Sequence, residues 1–134
     1  MDNLPTAPTP KQSLVLILCA MWITFLTLRL SLHLGGVRHV YPGGHLVHHF
    51  FFGAILLLPA AFLLAFPPRA RWLRFATLAI LGVASALLLD EFVYILVTQA
   101  TDADYISRLS FLGALVLISS ASLLLLSLYL SHRE

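Results

Sequence analysis

Four stretches of nearly unbroken apolar positions alternate with short polar breaks along this chain. The first, Ser13 to Leu34, would rise about 33 Å as a helix, enough to cross a bilayer core. Gly35-Gly36 stops it, and Tyr41-Pro42-Gly43-Gly44 adds strong turn chemistry. The second, His45 to Phe66, contains Pro59, which is expected to kink it, and ends at Pro67-Pro68. The third, Phe75 to Thr98, follows the loop PPRARWLR. The fourth, Leu109 to Leu130, follows the polar connection QATDADYISR and leaves SHRE at the end. Residues 1–12, MDNLPTAPTPKQ, hold three prolines and no apolar periodicity, and read as a disordered cytoplasmic tail. They do not read as a secretory signal, because the apolar run that follows is too long and no small-residue cleavage site stands out. The pattern predicts an all-α membrane protein: one domain over residues 13–134, built as a four-transmembrane-helix bundle.

Polar groups interrupt the apolar stretches at a few places, and ionisable groups inside spanning helices are costly and rarely idle. The segment GGHLVHHFFFG brings His45, His48 and His49 to the start of the second helix. His45 and His49 are four apart and would share a helix face. The third helix carries Asp90, Glu91 and Tyr94. Ala79, Gly82 and Ala86 form a small-residue stripe that continues to Asp90 and Tyr94, and such stripes mark the packed side of a membrane helix. Glu91, turned by about 100°, is expected to border a neighbouring helix instead. Ser110, Gly113, Ala114 and Ser120 offer a similar small face on the fourth helix. Arg29 and His33 lie near the end of the first helix, and Asp102, Asp104, Tyr105 and Arg108 lie before the fourth. In an up-and-down bundle all of these groups gather at one end.

Composition agrees with the pattern. The 134 residues are 60% hydrophobic and 10% charged, where soluble domains carry about 25% charged residues; the mean hydropathy is +0.93. The net charge of +2 leaves no basic stripe for nucleic acid. The single cysteine, Cys19, excludes an intrachain disulfide and is expected to pack as a small apolar residue. Arg69, Arg71 and Arg74 crowd the loop between the second and third helices, and positive loops stay cytoplasmic. Both termini are then cytoplasmic, which fits Lys11 and Arg133. The expected location is the plasma (inner) membrane, crossed several times, with the ionisable end facing out.

Imidazole with carboxylate suits a transition metal: zinc, iron, manganese or copper. The expected ligands are His45, His48, His49 and Asp90. Adjacent His48 and His49 diverge by about 100° on a helix, so both on one ion would need a distorted helix start. Such a metal could activate water or polarise a phosphoryl or acyl group. Glu91 and Tyr94 are then the candidate catalytic groups, with Asp90 as base if it is not a ligand. Arg29 and Arg108 are the candidate substrate-binding residues, suited to a phosphate headgroup. That reading is a metal-dependent enzyme acting on a lipid or other amphiphile. Its rival is a non-enzymatic accessory or proton- and ion-handling protein, in which the same His, Asp, Glu and Arg residues form a metal-free polar network. Like charges at Asp90 and Glu91 would favour retention of a proton. No polar residues continue along the second helix to the other face, so at most a half-channel opening outward is expected.

Other groups have plainer expectations. Asp104 is placed to cap the fourth helix; Trp22 packs, Trp72 anchors at the interface, and Phe50, Phe51 and Phe52 contact lipid or core. Membrane lipid and a second copy of the chain are the partners to expect. At HLVHHFFFG and LLLDEFVY the chain resembles a group of small, functionally uncharacterised prokaryotic integral membrane proteins with an HxxHH segment and a later Asp-Glu segment. The resemblance covers the second and third helices. It implies that the two segments belong together and carries over no functional residue.

Overall fold

The computed structural model describes residues 7–36, 48–99 and 101–132. In chain order they form α1 (Pro10–Gly35), α2 (His49–Ala65), α3 (Arg71–Val97), α4 (Asp102–Ile106) and α5 (Arg108–Ser131). Three of these, α1, α3 and α5, are long and apolar enough to cross a membrane, while α2 is a shorter apolar helix. At 17 residues α2 rises about 25 Å, somewhat less than a hydrocarbon core.

Local signals set the helix ends. The Thr9 hydroxyl accepts from the Gln12 N–H while the Gln12 side chain accepts from the Thr9 N–H, and Pro10 takes the first helical position. α1 therefore begins at Pro10 and absorbs residues expected in the tail. Gly36, at φ 69°, closes it in a backbone conformation that costs a larger residue more. Pro59 lies inside α2. The third apolar stretch begins earlier than expected, at Arg71.

α3 is the central element. α2 packs on one part of its surface, α1 and α5 on the rest, and α1 and α5 also touch each other. Each packing partner approaches α3 through a glycine. A methyl on Gly82 of α3 would lie 2.5 Å from the Ile17 carbonyl oxygen of α1. A methyl on Gly53 of α2 would lie 2.9 Å from the Ala84 carbonyl oxygen, and one on Gly113 of α5 would lie 2.6 Å from the Val93 side chain. Backbones this close exchange many dispersion contacts, which is how helices associate where lipid removes the hydrophobic driving force.

Gly82, Ala86, Asp90 and Tyr94 of the expected stripe are buried, and Ala79 is half-buried. On α5, Ser110 and Ala114 are buried but Ser120 is exposed, because it falls outside the arc that faces α3. Met21, Phe25, Ala86, Ala114 and Ile118 form the core, with Trp22 packed against it. The Trp22 indole N–H donates to the Ser122 hydroxyl at 3.0 Å and so satisfies its one polar atom. Cys19 is exposed on the bundle surface, not packed as expected. Its stretch of α1 turns away from α3 and α5, beside exposed Val15 and Ile23.

Candidate functional site

One end of the bundle gathers the end of α1, the start of α2, the end of α3 and the whole of α4. Asp90 and Glu91 are completely or almost completely buried there, at 0% and 3% exposure. Charges so placed require partners, and each carboxylate is met from several elements.

Arg29 supplies the partner for Asp90. Its Nε donates to Asp90 Oδ1 at 2.6 Å. Its Nη1 donates to the Tyr105 carbonyl at 3.2 Å, and its Nη2 to the Asp90 carbonyl at 3.1 Å. Nη2 also reaches the Ser110 carbonyl and hydroxyl, at 3.3 and 3.2 Å. The guanidinium lies 5.1 Å from the Tyr105 ring centroid and 5.8 Å from those of Phe25 and Phe111, within range of cation–π attraction. One side chain thus links α1 to α3, α4 and α5.

The other Asp90 oxygen, Oδ2, accepts from the Tyr105 hydroxyl at 2.6 Å and lies 3.1 Å from His49 Nε2. Burial, and then the negative charge of Asp90, hold the Tyr105 hydroxyl above the usual tyrosine range, so it stays a donor. Tyr105 reaches the site because α4 forms a single turn before α5. Thr101 caps α4 and Asp104 completes the reciprocal pair, while Ser107 caps α5. Asp104 is therefore part of the α4 start and not the cap of the last helix. Its hydrogen bonds from Thr101 hold its carboxyl below the ordinary range. The sign follows: this cap is intact above the unfolded value of 3.8 and is lost only as pH falls through the lower folded value.

Glu91 faces α2. Its Oε2 accepts from the Phe50 N–H at 2.8 Å, one of the first-turn donors that a helix cannot satisfy internally. His48, the residue before α2, has no side-chain capping bond of its own. Glu91 thus caps α2 from another helix and complements its positive end. Its Oε1 lies 3.3 Å from His48 Nδ1 and 3.3 Å from His49 Nδ1. Both imidazoles can reach one oxygen because the helix starts between them: His48 is extended, at φ −73° and ψ 146°, so the helical divergence expected between neighbours does not apply. The His48 and Tyr94 rings lie 5.8 Å apart, and the Tyr94 and Tyr105 rings 4.9 Å apart.

Arg29, His48, His49, Asp90 and Glu91 therefore converge, with Tyr94 alongside. Arg108 does not join them; it is exposed at the start of α5. His45 lies outside the described residues, as does Arg133. Among the described residues, no three of His, Cys, Asp and Glu are grouped so as to hold a metal ion. Asp90 directs its oxygens to Arg29, Tyr105 and His49, and a cation there would meet the guanidinium. His48 turns to Glu91. No buried side-chain nitrogen or oxygen among the described residues lacks a partner.

Tyr105 and Ser110, which the sequence placed at this end without a role in the site, are members of it, and the Phe50 N–H is one that the sequence did not single out. The only advance signal for Tyr105 is the Thr101-x-x-Asp104 spacing, which marks a helix start just before it.

Comparison with protein-family models, with curated proteins and with solved structures gives no match.

Proposed function

We propose that this is a proton-handling membrane protein, whose buried cluster holds one proton that exchanges with the water on one side of the membrane. The observation that carries the reading is the position of His49. Its Nε2 lies 3.1 Å from Asp90 and its Nδ1 lies 3.3 Å from Glu91. A neutral imidazole has one N–H and can serve only one carboxylate. The Nε2 contact is a hydrogen bond, and the Nδ1 contact becomes an ion pair when the imidazole carries two protons. Charge counting agrees. Two carboxylates and Arg29 leave one negative charge, and one added proton makes the buried cluster neutral.

The groups facing His49 are Asp90 and Glu91 on α3 and Tyr105 on α4, with Arg29 behind Asp90; His48, just before α2, shares Glu91 and lies against Tyr94. His48 and His49 are about one-fifth exposed, so the proton has a short route to water at this end. In the other direction lies the apolar core of Phe25, Met21 and Ile118. The route is one-sided. The protein responds to acidity on that side without conducting protons across.

In this reading α1, α2, α3 and α5 all cross the plasma (inner) membrane with both termini cytoplasmic, and the cluster faces out. An Ala70→Cys variant is expected to react with a membrane-impermeant thiol reagent from the cytoplasmic side; labelling only from outside would reverse the orientation.

The proton itself is tested in the purified full chain. Titrated from about pH 8 to about pH 5, the parent is expected to take up about one proton more than His49→Gln. Nitrogen-15 spectra of the parent should show two protonated ring nitrogens on His49 at the acid end. Equal uptake by both proteins, or a His49 that keeps one bare nitrogen throughout with both carboxylates ionised, ends the proposal. So does stoichiometric zinc, iron, manganese or copper in the parent that is lost from His48→Ala plus His49→Ala, since a metal would then occupy the donors assigned to the proton.

A further inference from the structure

We propose that the groove between α1 and the start of α5 binds the phosphate of an anionic phospholipid. The groove encloses about 310 Å3 and opens to the surface beside the cluster. Its rim carries Arg108, the first residue of α5, and His33 on the last turn of α1. Both are exposed, and neither makes an ion pair among the described residues. The nearby Asp104 carboxylate is committed to the Thr101 cap, at the far end of α4 from the groove. The rim thus carries the Arg108 guanidinium with no acid opposite it among the described residues.

The floor is a second, independent feature. Arg29 lines the groove with its side chain nine-tenths buried. Nη1 makes one hydrogen bond, to the Tyr105 carbonyl. A guanidinium has five N–H donors, two of them on Nη1, so the second Nη1 hydrogen has no partner among the described residues. α5 also begins here, with the positive end of its dipole toward the groove. A guanidinium rim, a spare guanidinium donor and a helix start together suit a phosphate oxygen.

The walls identify the source of that phosphate. Leu32, Ile106 and Phe111 form them, and exposed Leu109 and Leu112 continue the apolar surface down α5. A soluble phosphate gains nothing from such walls, whereas a phospholipid places its glycerol and first methylenes against them. Anionic lipid is favoured over zwitterionic lipid because the groove offers guanidinium groups and, among the described residues, no carboxylate for a choline or ethanolamine group.

The test uses the full chain in nanodiscs of equal phosphatidylglycerol and phosphatidylcholine, released into native mass spectrometry. Phosphatidylglycerol is expected to be retained selectively by the parent, and Arg108→Gln is expected to lose about tenfold or more of that retention, the worth of a charge-assisted contact. Arg108 is exposed and apart from the cluster, so the variant should melt with the parent in pure phosphatidylcholine and keep the His49 proton uptake. The proposal is overturned if Arg108→Gln retains phosphatidylglycerol equally, if the parent retains both lipids equally, or if millimolar inorganic phosphate stabilises the parent in detergent as much as the lipid does.

Discussion

Arg29→Ala is expected to destabilise the fold by about 3–5 kcal/mol, the cost of leaving a buried charge unpaired. Asp90 is 0% exposed, and Arg29 meets it at 2.6 Å. Removing the guanidinium also takes a donor from the Tyr105 and Ser110 carbonyls on two other elements. Asp90→Asn in the same background should recover part of the loss, because it removes the uncompensated charge while keeping hydrogen-bonding atoms for Tyr105. Unfolding of the purified variants in mixed micelles measures both. A loss below about 1 kcal/mol for Arg29→Ala, within the range of exposed pairs, would mean that water reaches Asp90. Failure of the double variant to recover any stability would place the loss in those hydrogen bonds instead of the charge.

Gly82→Ala carries the other large effect. Its methyl would stand 2.5 Å from the Ile17 carbonyl oxygen and 2.8 Å from the Ala20 methyl. Both neighbours are parts of α1 that cannot rotate away, so the two helices must separate. Overpacking of this kind costs about 1–3 kcal/mol, and more when backbone has to move. Gly113→Ala meets only the Val93 side chain; that side chain is stiff but can still shift. The expected order of melting temperatures is therefore parent, then Gly113→Ala, then Gly82→Ala. A Gly113→Ala variant less stable than Gly82→Ala would show that the α3–α5 contact, and not α1–α3, is the tighter one.

The helices were legible because apolar runs of this length have few other structures open to them, and Arg29, Asp90 and Glu91 were legible as a group because a charge in such a run must find another. The small stripe through Gly82 and Ala86 gave the facing of Asp90. The histidines were harder. Their spacing was read on a helix that includes His45, yet α2 starts at His49. Neither His48 nor the residues around it form an ordinary cap signal, and the capping group is Glu91, far along the chain. The role of Tyr105 was illegible for a related reason. It sits in a single turn with no periodicity of its own, and only tertiary placement brings its hydroxyl to Asp90. Metal ligation and proton sharing draw on the same residue types, so composition at the site could not separate them; the distances of both His49 nitrogens to separate carboxylates favour the second.

The Glu91 contact with the Phe50 N–H also has a consequence for how the chain is made. The two residues are 41 positions apart, and α2 leaves the ribosome first. Until residue 91 has been synthesised, the start of α2 has no partner for that N–H and no counterweight to its positive end. Its first turn must meanwhile remain in water or in the polar interior of the insertion machinery. α3 therefore fixes where α2 begins as well as where it packs, and a nascent chain halted before Asp90 would leave α2 unfinished at its start.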